Sequence, residues 1–314
     1  MTWWHAVILG LVEGITEYLP ISSTGHLILA SAALGLNSPE SKRAIDDFNI
    51  IIQGGAILAV AGLYWPRVKQ ICKGLIGRDN AGTALFVNLL IAFLPAAVLG
   101  KLMHDWIESM LFFPIPVTTA LAVGGLFMIW LQARRDGRLG LAPISRTTIE
   151  EITPRQALFI GCLQCVALWP GTSRSMMTIA GGYMVGLPAA AAAEFSFLLG
   201  LPTLTAATLY SLYKNLSHAK SESAATGHHV ANLFESLGAV NCLIGIVVAA
   251  ISAAIAIKWL VGFLSRKGLT AFGIYRLILA AFLTILIARG AVTIAPKDKD
   301  APKTPPVPAI RSPK

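Results

Sequence analysis

Charge is scarce in this sequence, and cysteine is scarcer. Charged residues make up 13% of the 314 positions, against about 25% in ordinary soluble domains. The four cysteines, at positions 72, 162, 165 and 242, lack the spacing of a disulfide framework or a zinc site. The start of the chain has no basic segment and no small-residue cleavage site, so no signal peptide is expected there. The low charge excludes an ordinary soluble domain.

Apolar residues are what the chain has in abundance. Hydrophobic side chains make up 55% of the sequence, and the mean hydropathy is +0.68. Six apolar runs are each about long enough to cross a bilayer core of ~30 Å, and they lie near 48–65, 85–104, 115–133, 195–213, 237–257 and 272–290. These runs predict an all-α polytopic membrane protein. We expect a single membrane domain over 1–293 and a disordered Pro/Lys-rich tail over 294–314.

The net charge of +9 could suggest nucleic-acid binding, but the placement of the charges argues against it. Twelve basic residues lie in three loops, at 66–83, 134–156 and 258–271. Five lie in the alternating loops at 37–47, 101–114 and 214–236. Because basic loops stay in the cytoplasm, the first set is predicted to be cytoplasmic and both termini to face outward. The five basic residues of the tail run against this orientation, and the loops are given more weight because they are fixed between spans.

The two halves of the chain are similar to each other at an offset near 150. Gly10 aligns with Gly161, Glu13 with Gln164, Tyr18 with Trp169, Pro20 with Pro170 and Ser23 with Ser173. The similarity predicts two repeats, at about 5–135 and 156–291.

Each repeat begins with a short apolar segment, a break and a second short segment. Ala6 to Tyr18, for example, would form only about 20 Å of helix, and "LPISSTGH" follows it. This pattern predicts a re-entrant helical hairpin followed by three transmembrane helices. Since three is odd, the second repeat would enter from the opposite face, and the two hairpins would meet near the midplane.

Two carboxylates stand out in the first hairpin. Glu13 and Glu17 are four residues apart and therefore share one helix face. Acidic side chains inside a membrane are unfavourable and usually functional. We predict that the pair holds a divalent cation, Mg²⁺ or Ca²⁺. The alternative is a helix end at the aqueous surface, where the pair would simply be solvated.

The two breaks carry groups that suit a phosphate. Ser22 and Ser23 in the first break, and Ser173 and Ser175 in the second, are placed to cap outgoing helices whose N-termini attract anions. Arg174 could grip a phosphate, or it could be the structural partner of a glutamate. The remaining candidates are His26 as a general acid or base, Ser23 or Ser22 as the nucleophile that His26 would activate, and Thr178 on the face of Arg174. The composition predicts phosphoryl transfer or hydrolysis on a substrate with a lipid tail.

The segments "EGITEYLPISSTGHL" and "PGTSRSMMT" closely resemble the undecaprenyl-diphosphatase family, the BacA-type bacitracin-resistance proteins, and the resemblance covers about 1–290. It implies dephosphorylation of undecaprenyl diphosphate to the monophosphate, which carries peptidoglycan precursors. It also implies bacitracin resistance, a need for Mg²⁺ or Ca²⁺, and a site open to the outer side of the bacterial inner membrane.

The resemblance also assigns residues. The expected catalytic residues are Glu13, Glu17, Ser23, His26 and Arg174, with the metal on Glu13 and Glu17. The expected substrate-binding residues are Ser22, Gly171, Ser173, Arg174, Ser175 and Thr178.

Two other functions share part of this pattern. A phosphatidic-acid-type phosphatase is set aside because its downstream His and Asp have no counterpart after Arg174. A lipid-carrier flippase or cation-coupled transporter with the same inverted repeats remains the alternative function. The expected partners are a polyprenyl diphosphate lipid and the bilayer, with a second copy of the chain as a further candidate and no nucleic acid.

Overall fold

The computed structural model describes residues 1–36, 39–138, 148–226, 234, 237–292 and 294. Throughout this part of the chain the regular structure is helical. The helices are α1 Trp3–Thr16, α2 Ser23–Ala33, α3 Pro39–Leu63, α4 Trp65–Leu75, α5 Asn80–Leu102, α6 His104–Leu111, α7 Pro114–Arg135, a 3₁₀ turn Ile149–Glu151, α8 Pro154–Val166, α9 Arg174–Met184, α10 Ala189–Thr226, α11 Ala239–Lys267 and α12 Thr270–Ala288. The predicted tail lies, apart from residue 294, outside the described residues.

Six helices are long and apolar enough to cross a membrane. They are Ile45–Leu63, Asn80–Leu102, Pro114–Arg135, Ala189–Ser217, Ala239–Lys267 and Thr270–Ala288. Each overlaps one of the six apolar runs, so the prediction of a polytopic all-α membrane protein is confirmed.

Small residues line many of the contacts between spans, although large side chains such as Leu121 and Phe195 are buried as well. On α11 the buried positions include Gly245, Ala249 and Ala253, whereas Ile251 and Ile255 are mostly exposed. Lipid tails are as apolar as leucine, so large side chains gain little by turning inward. Small residues instead let helix backbones approach closely and gain dispersion contacts.

Both halves share the same principal order of elements, to which the first half adds the short helices α4 and α6, without counterparts among the described residues of the second half. Two short helices flank a break, at 17–22 between α1 and α2 and at 167–173 between α8 and α9, and three spans follow each pair. The packing is also reciprocal: α1 packs on α11 and α8 on α5, while α3 contacts α10 and α7 contacts α12. The short helices and breaks are therefore as predicted. Their opposite orientation in the bilayer stays a prediction.

Glycines mark where the first helix of each half meets its partner. A Cβ added to Gly10 would lie 2.7 Å from the carbonyl oxygen of Gly245, and one added to Gly161 would lie 2.5 Å from that of Ala92. Gly10 and Gly161 are the pair that the internal similarity aligned. At Gly14 an added Cβ would collide with the Ser252 hydroxyl and with backbone.

We expect Gly14→Ala to destabilise the protein, because α1 must move away from α11 to accommodate the methyl group. Overpacking of this kind costs about 1–3 kcal/mol. The matched control is Gly54→Ala on α3, where an added Cβ meets nothing within 4 Å. Thermal unfolding of the detergent-solubilised protein should show a lower midpoint for the first variant alone. Equal midpoints for the two variants would contradict the close packing.

Candidate active site

The first break brings an acid and a hydroxyl together. Glu17 follows directly after α1, and Ser23 is the first residue of α2. The chain reverses between them, so the Ser23 hydroxyl donates to Glu17 Oε2 at 2.7 Å. Glu13 and Glu17 are only 1% and 7% exposed. The alternative of a solvated surface pair is therefore wrong, since protein surrounds both carboxylates.

Serine also ends each break in an unusual backbone conformation. Ser22 and Ser173, the residues that precede α2 and α9, have φ of 73° and 77°, a region that costs a non-glycine residue about 1–3 kcal/mol. This places Ser22, rather than Ser23, opposite Ser173, so the offset here is 151, as it is for Gly10 and Glu13. The equivalent of Ser23 is then Arg174.

The capping predictions are confirmed for one serine only. Ser173 Oγ accepts from the backbone N–H of Met176 at 3.3 Å. The side chain of Ser22 makes no cap hydrogen bond, and Ser23 bonds to Glu17 instead. Ser175 lies beyond the cap and serves another contact, because its hydroxyl donates to the carbonyl oxygen of Leu19 at 2.9 Å. Ser175 thus joins the second hairpin to the first break.

Arg174 connects the two hairpins electrostatically. Its Nη2 lies 3.4 Å from Glu17 Oε1, and the two side chains are only 10% and 6% exposed. Nη1 donates to the carbonyl oxygen of Ser196 at 3.0 Å, and the guanidinium lies 5.4 Å from the centre of the Tyr18 ring. Arg174 therefore pairs with a glutamate, which is the structural role that the sequence left open. Nε is buried without a hydrogen-bond partner, so the guanidinium keeps a donor for an anion.

Thr178 lies one turn after Arg174, on the predicted face. Its hydroxyl is 2.6 Å from the Ser196 hydroxyl and also donates to the Arg174 carbonyl oxygen. Ser196 lies on α10 and was not predicted, because sequence offers no signal for a serine that meets a helix 18 residues upstream. The assignment of Thr178 and Ser175 to substrate binding stays a prediction, and both hydroxyls contact protein here.

The expected hydrogen bond between His26 and a serine hydroxyl is not what the structure shows. Nδ1 of His26 lies 2.8 Å from the backbone oxygen of Ser22, and Nε2 lies 2.6 Å from the Tyr275 hydroxyl. The group that accepts from Ser23 is Glu17. The sequence patterns did not predict a role for Tyr275. The available signal was the adjacent Tyr–Arg pair inside an otherwise apolar span.

Arg276 is fully buried and supports the second break. Its Nη2 donates to the carbonyl oxygens of Gly171, at 2.8 Å, and Ala120, at 3.0 Å, and its Nε donates to that of Leu121. Gly171 has φ of 95°, and a Cβ there would lie 2.6 Å from the Val117 carbonyl oxygen. The substrate-binding prediction for Gly171 is untested, while its carbonyl oxygen clearly anchors the turn.

The carboxylate pair suits a hard divalent cation. In the described part of the chain no group of three His, Cys, Asp or Glu residues could hold a metal, and no basic side chain there forms an ion pair with Glu13. A buried carboxylate beside a second carboxylate requires a proton or a cation for compensation. Mg²⁺ commonly takes one or two protein carboxylates and fills its shell with water and phosphate oxygens. Glu13 and Glu17 therefore fit this donor set.

The chain matches the family model described as "Bacitracin resistance protein BacA" over residues 6–282. The protein belongs to this family. It is 46% identical to undecaprenyl-diphosphatase 2 of Rhodospirillum rubrum, over 90% of this chain and 93% of that one. It is 44% identical to the undecaprenyl-diphosphatase of Sorangium cellulosum, over 90% and 86%, and 40% identical to that of Deinococcus radiodurans, over 93% and 98%.

Replacing Ser175 by Ala should loosen the contact between the hairpins. The change removes one of the two donors to the Leu19 carbonyl oxygen, which keeps the backbone N–H of Ile21 at 2.8 Å. The loss of one hydrogen bond should cost about 0.5–1.5 kcal/mol. The control is Ser265→Ala, because Ser265 is exposed and its hydroxyl bonds only within its own helix. Thermal unfolding of both purified variants in the same detergent should show a lower midpoint for Ser175→Ala than for Ser265→Ala. A Ser175 variant as stable as the control would contradict the link.

Proposed function

We propose that this protein is an integral membrane phosphatase that hydrolyses undecaprenyl diphosphate to undecaprenyl phosphate and inorganic phosphate. One observation carries the proposal: Ser23 from the first hairpin and Arg174 from the second meet on the same carboxylate, Glu17. The names of the relatives support the same activity. The product would return to peptidoglycan synthesis as the lipid carrier, and the loss of the diphosphate form would give bacitracin resistance.

The substrate's diphosphate would bind between the two helix N-termini. Ser23 begins α2 and Arg174 begins α9, so both ends lie at the cluster. Free backbone N–H groups and the positive ends of the helix dipoles attract phosphate there. Ser23 and Arg174 are partly accessible, whereas Ser175 and Thr178 are buried. Phosphate oxygens would therefore meet Ser23 and the accessible part of Arg174 first, before they reach the buried Nε.

Glu17 is the group placed to take the proton of Ser23. As Ser23 Oγ attacks the terminal phosphorus, its proton passes to Glu17 Oε2. The bond from that phosphorus to the bridging oxygen breaks, and undecaprenyl phosphate leaves with the electron pair. Water then attacks the same phosphorus, the bond from phosphorus to Ser23 Oγ breaks, and Glu17 returns its proton to Oγ as inorganic phosphate leaves. A Mg²⁺ or Ca²⁺ ion held by Glu13 and Glu17 would neutralise charge on the diphosphate.

His26 has a different role in this proposal from the one first expected. Its ring nitrogens are occupied by the Ser22 carbonyl oxygen and the Tyr275 hydroxyl. It would hold the turn that delivers Ser23 to Glu17.

A flippase or cation-coupled transporter is less well supported. Carrying a cation needs the carboxylates but gives no reason for a serine hydroxyl 2.7 Å from Glu17 and an arginine on the opposite side. The relatives reported above are named as phosphatases.

Phosphate release from a long-chain prenyl diphosphate tests the proposal. Ser23→Ala and Glu17→Gln should each lower kcat at least ~100-fold, because they remove the nucleophile or its base. Arg174→Lys should also lower kcat, since the lysine ammonium keeps the charge but cannot reproduce the planar guanidinium with its paired N–H donors. EDTA should abolish release and excess Mg²⁺ or Ca²⁺ should restore it. The control is Arg266→Lys, at an exposed arginine that bonds only to its own helix.

Two outcomes would oppose this proposal. One is a folded wild-type protein that releases no phosphate with any divalent cation. The other is a Ser23→Ala variant with full activity, which would exclude Ser23 as the nucleophile.

We also propose that the protein lies in the bacterial cytoplasmic membrane with its site open to the outer side. The excess of basic residues in alternate loops supports this orientation. Cys72 is exposed on α4, within a loop assigned to the cytoplasm.

A variant that keeps Cys72 as its single cysteine should resist a membrane-impermeant maleimide in intact spheroplasts. It should be labelled after lysis. A second single-cysteine variant, with Ser109→Cys on α6 in a loop assigned to the outside, should be labelled in both states. The reverse pattern would invert the topology.

A further inference from the structure

Tyr275 contacts the candidate site from the far end of the sequence. Its hydroxyl lies 2.6 Å from His26 Nε2, across 249 positions of sequence. The two rings are nearly parallel, at 5°, with centroids 5.6 Å apart. The contact therefore joins α12 to the first turn of α2.

The hydrogen bonds of His26 fix which nitrogen carries the proton. Nδ1 faces the backbone oxygen of Ser22, which can only accept. Nδ1 must then be the donor, and in the neutral ring Nε2 must be the acceptor. The Tyr275 hydroxyl donates to Nε2. A phenylalanine at this position would keep the ring contact and lose this donor.

The hydrogen bonds that start at Tyr275 and pass through His26 end at the turn formed by Ser22. Ser22 has φ of 73° and makes no side-chain cap bond. Its carbonyl oxygen is held by His26, and the next residue, Ser23, directs its hydroxyl to Glu17. Two hydrogen bonds thus connect Tyr275 to the peptide that precedes Ser23. A shift of the imidazole would move that peptide, and Ser23 with it.

An ordinary explanation of Tyr275 is that it anchors α12 at the membrane surface, where tyrosines are common. Such a residue keeps its hydroxyl for water or lipid headgroups. Here the hydroxyl is 2.6 Å from a ring nitrogen, and the ring stacks on protein. Tyr275 is itself 42% exposed, but its hydroxyl is bonded to protein, whereas Tyr213 on α10, at 71% exposure, has the character of such an anchor.

We propose that Tyr275 is a positioning residue of the phosphatase, which orients Ser23 through His26 and the Ser22 carbonyl. This inference rests on the proposed function, since it assigns Tyr275 to that same site. Its first test is independent of activity.

The first measurement is ¹⁵N NMR of histidine-labelled protein in lipid nanodiscs. The chain has six histidines, and the signals of His26 are those that disappear in His26→Gln. The wild type should show a protonated Nδ1 and a hydrogen-bonded Nε2. In Tyr275→Phe the Nε2 signal should move towards that of an imine nitrogen without a donor, and in the control Tyr213→Phe it should not move. An unmoved signal in Tyr275→Phe would overturn the proposal.

The second measurement is a double-mutant cycle on phosphate release. Tyr275→Phe should lower kcat about tenfold with little change in KM, because the substrate still meets Arg174. In a His26→Gln background the same change should have no further effect, since the connection is already broken. If the kcat losses of the two single variants multiplied in the double variant, Tyr275 would act independently of His26. A wild type without phosphatase activity would defeat the proposed function, while the NMR result would still decide the Tyr275–His26 bond.

Discussion

Two carboxylates buried side by side in an apolar protein are the constraint on which the rest of the structure depends. Placing one charge in such surroundings costs several kcal/mol after relaxation, and a second charge of the same sign adds repulsion. The compensation comes from outside the helix that carries them. Ser23 and Arg174 contact Glu17, and the Glu13–Glu17 pair fits a divalent cation. Because these groups lie on different helices, the acids can be buried only when both hairpins are in place.

Helix packing then determines how rigidly the hairpins are held. Glycines such as Gly10 and Gly161 let α1 and α8 lie almost against the backbones of their partner helices. Ser175 joins the second hairpin to the Leu19 carbonyl, and Arg276 anchors the Gly171 carbonyl. These backbone contacts support two turns that contain serines with positive φ. Strain of this kind persists only where the surroundings over-determine the conformation.

Hydropathy and chemistry predicted most of this arrangement. The six spans follow from apolar runs, and the short helices follow from Pro20 and Pro170 beside serines. The acidic pair and Arg174 were visible because charges are conspicuous in a membrane helix. The pairing of hydroxyls was not predictable, because it depends on backbone direction within a few residues. A one-residue difference in register exchanged the places of Ser22 and Ser23. His26 was given a serine partner for the same reason, since Tyr275 comes from 249 positions away.

The equivalent positions of the two breaks hold complementary groups rather than identical ones. At the offset of 151 Glu13 corresponds to Gln164, and Ser23 corresponds to Arg174. Two identical turns would offer a diphosphate two equivalent orientations. Here one end of the cluster presents a hydroxyl with its acid, and the other presents a cation. One phosphate of the proposed substrate is esterified to the lipid and the other is terminal, so this asymmetry would fix the direction in which the diphosphate lies, with the terminal phosphate beside Ser23.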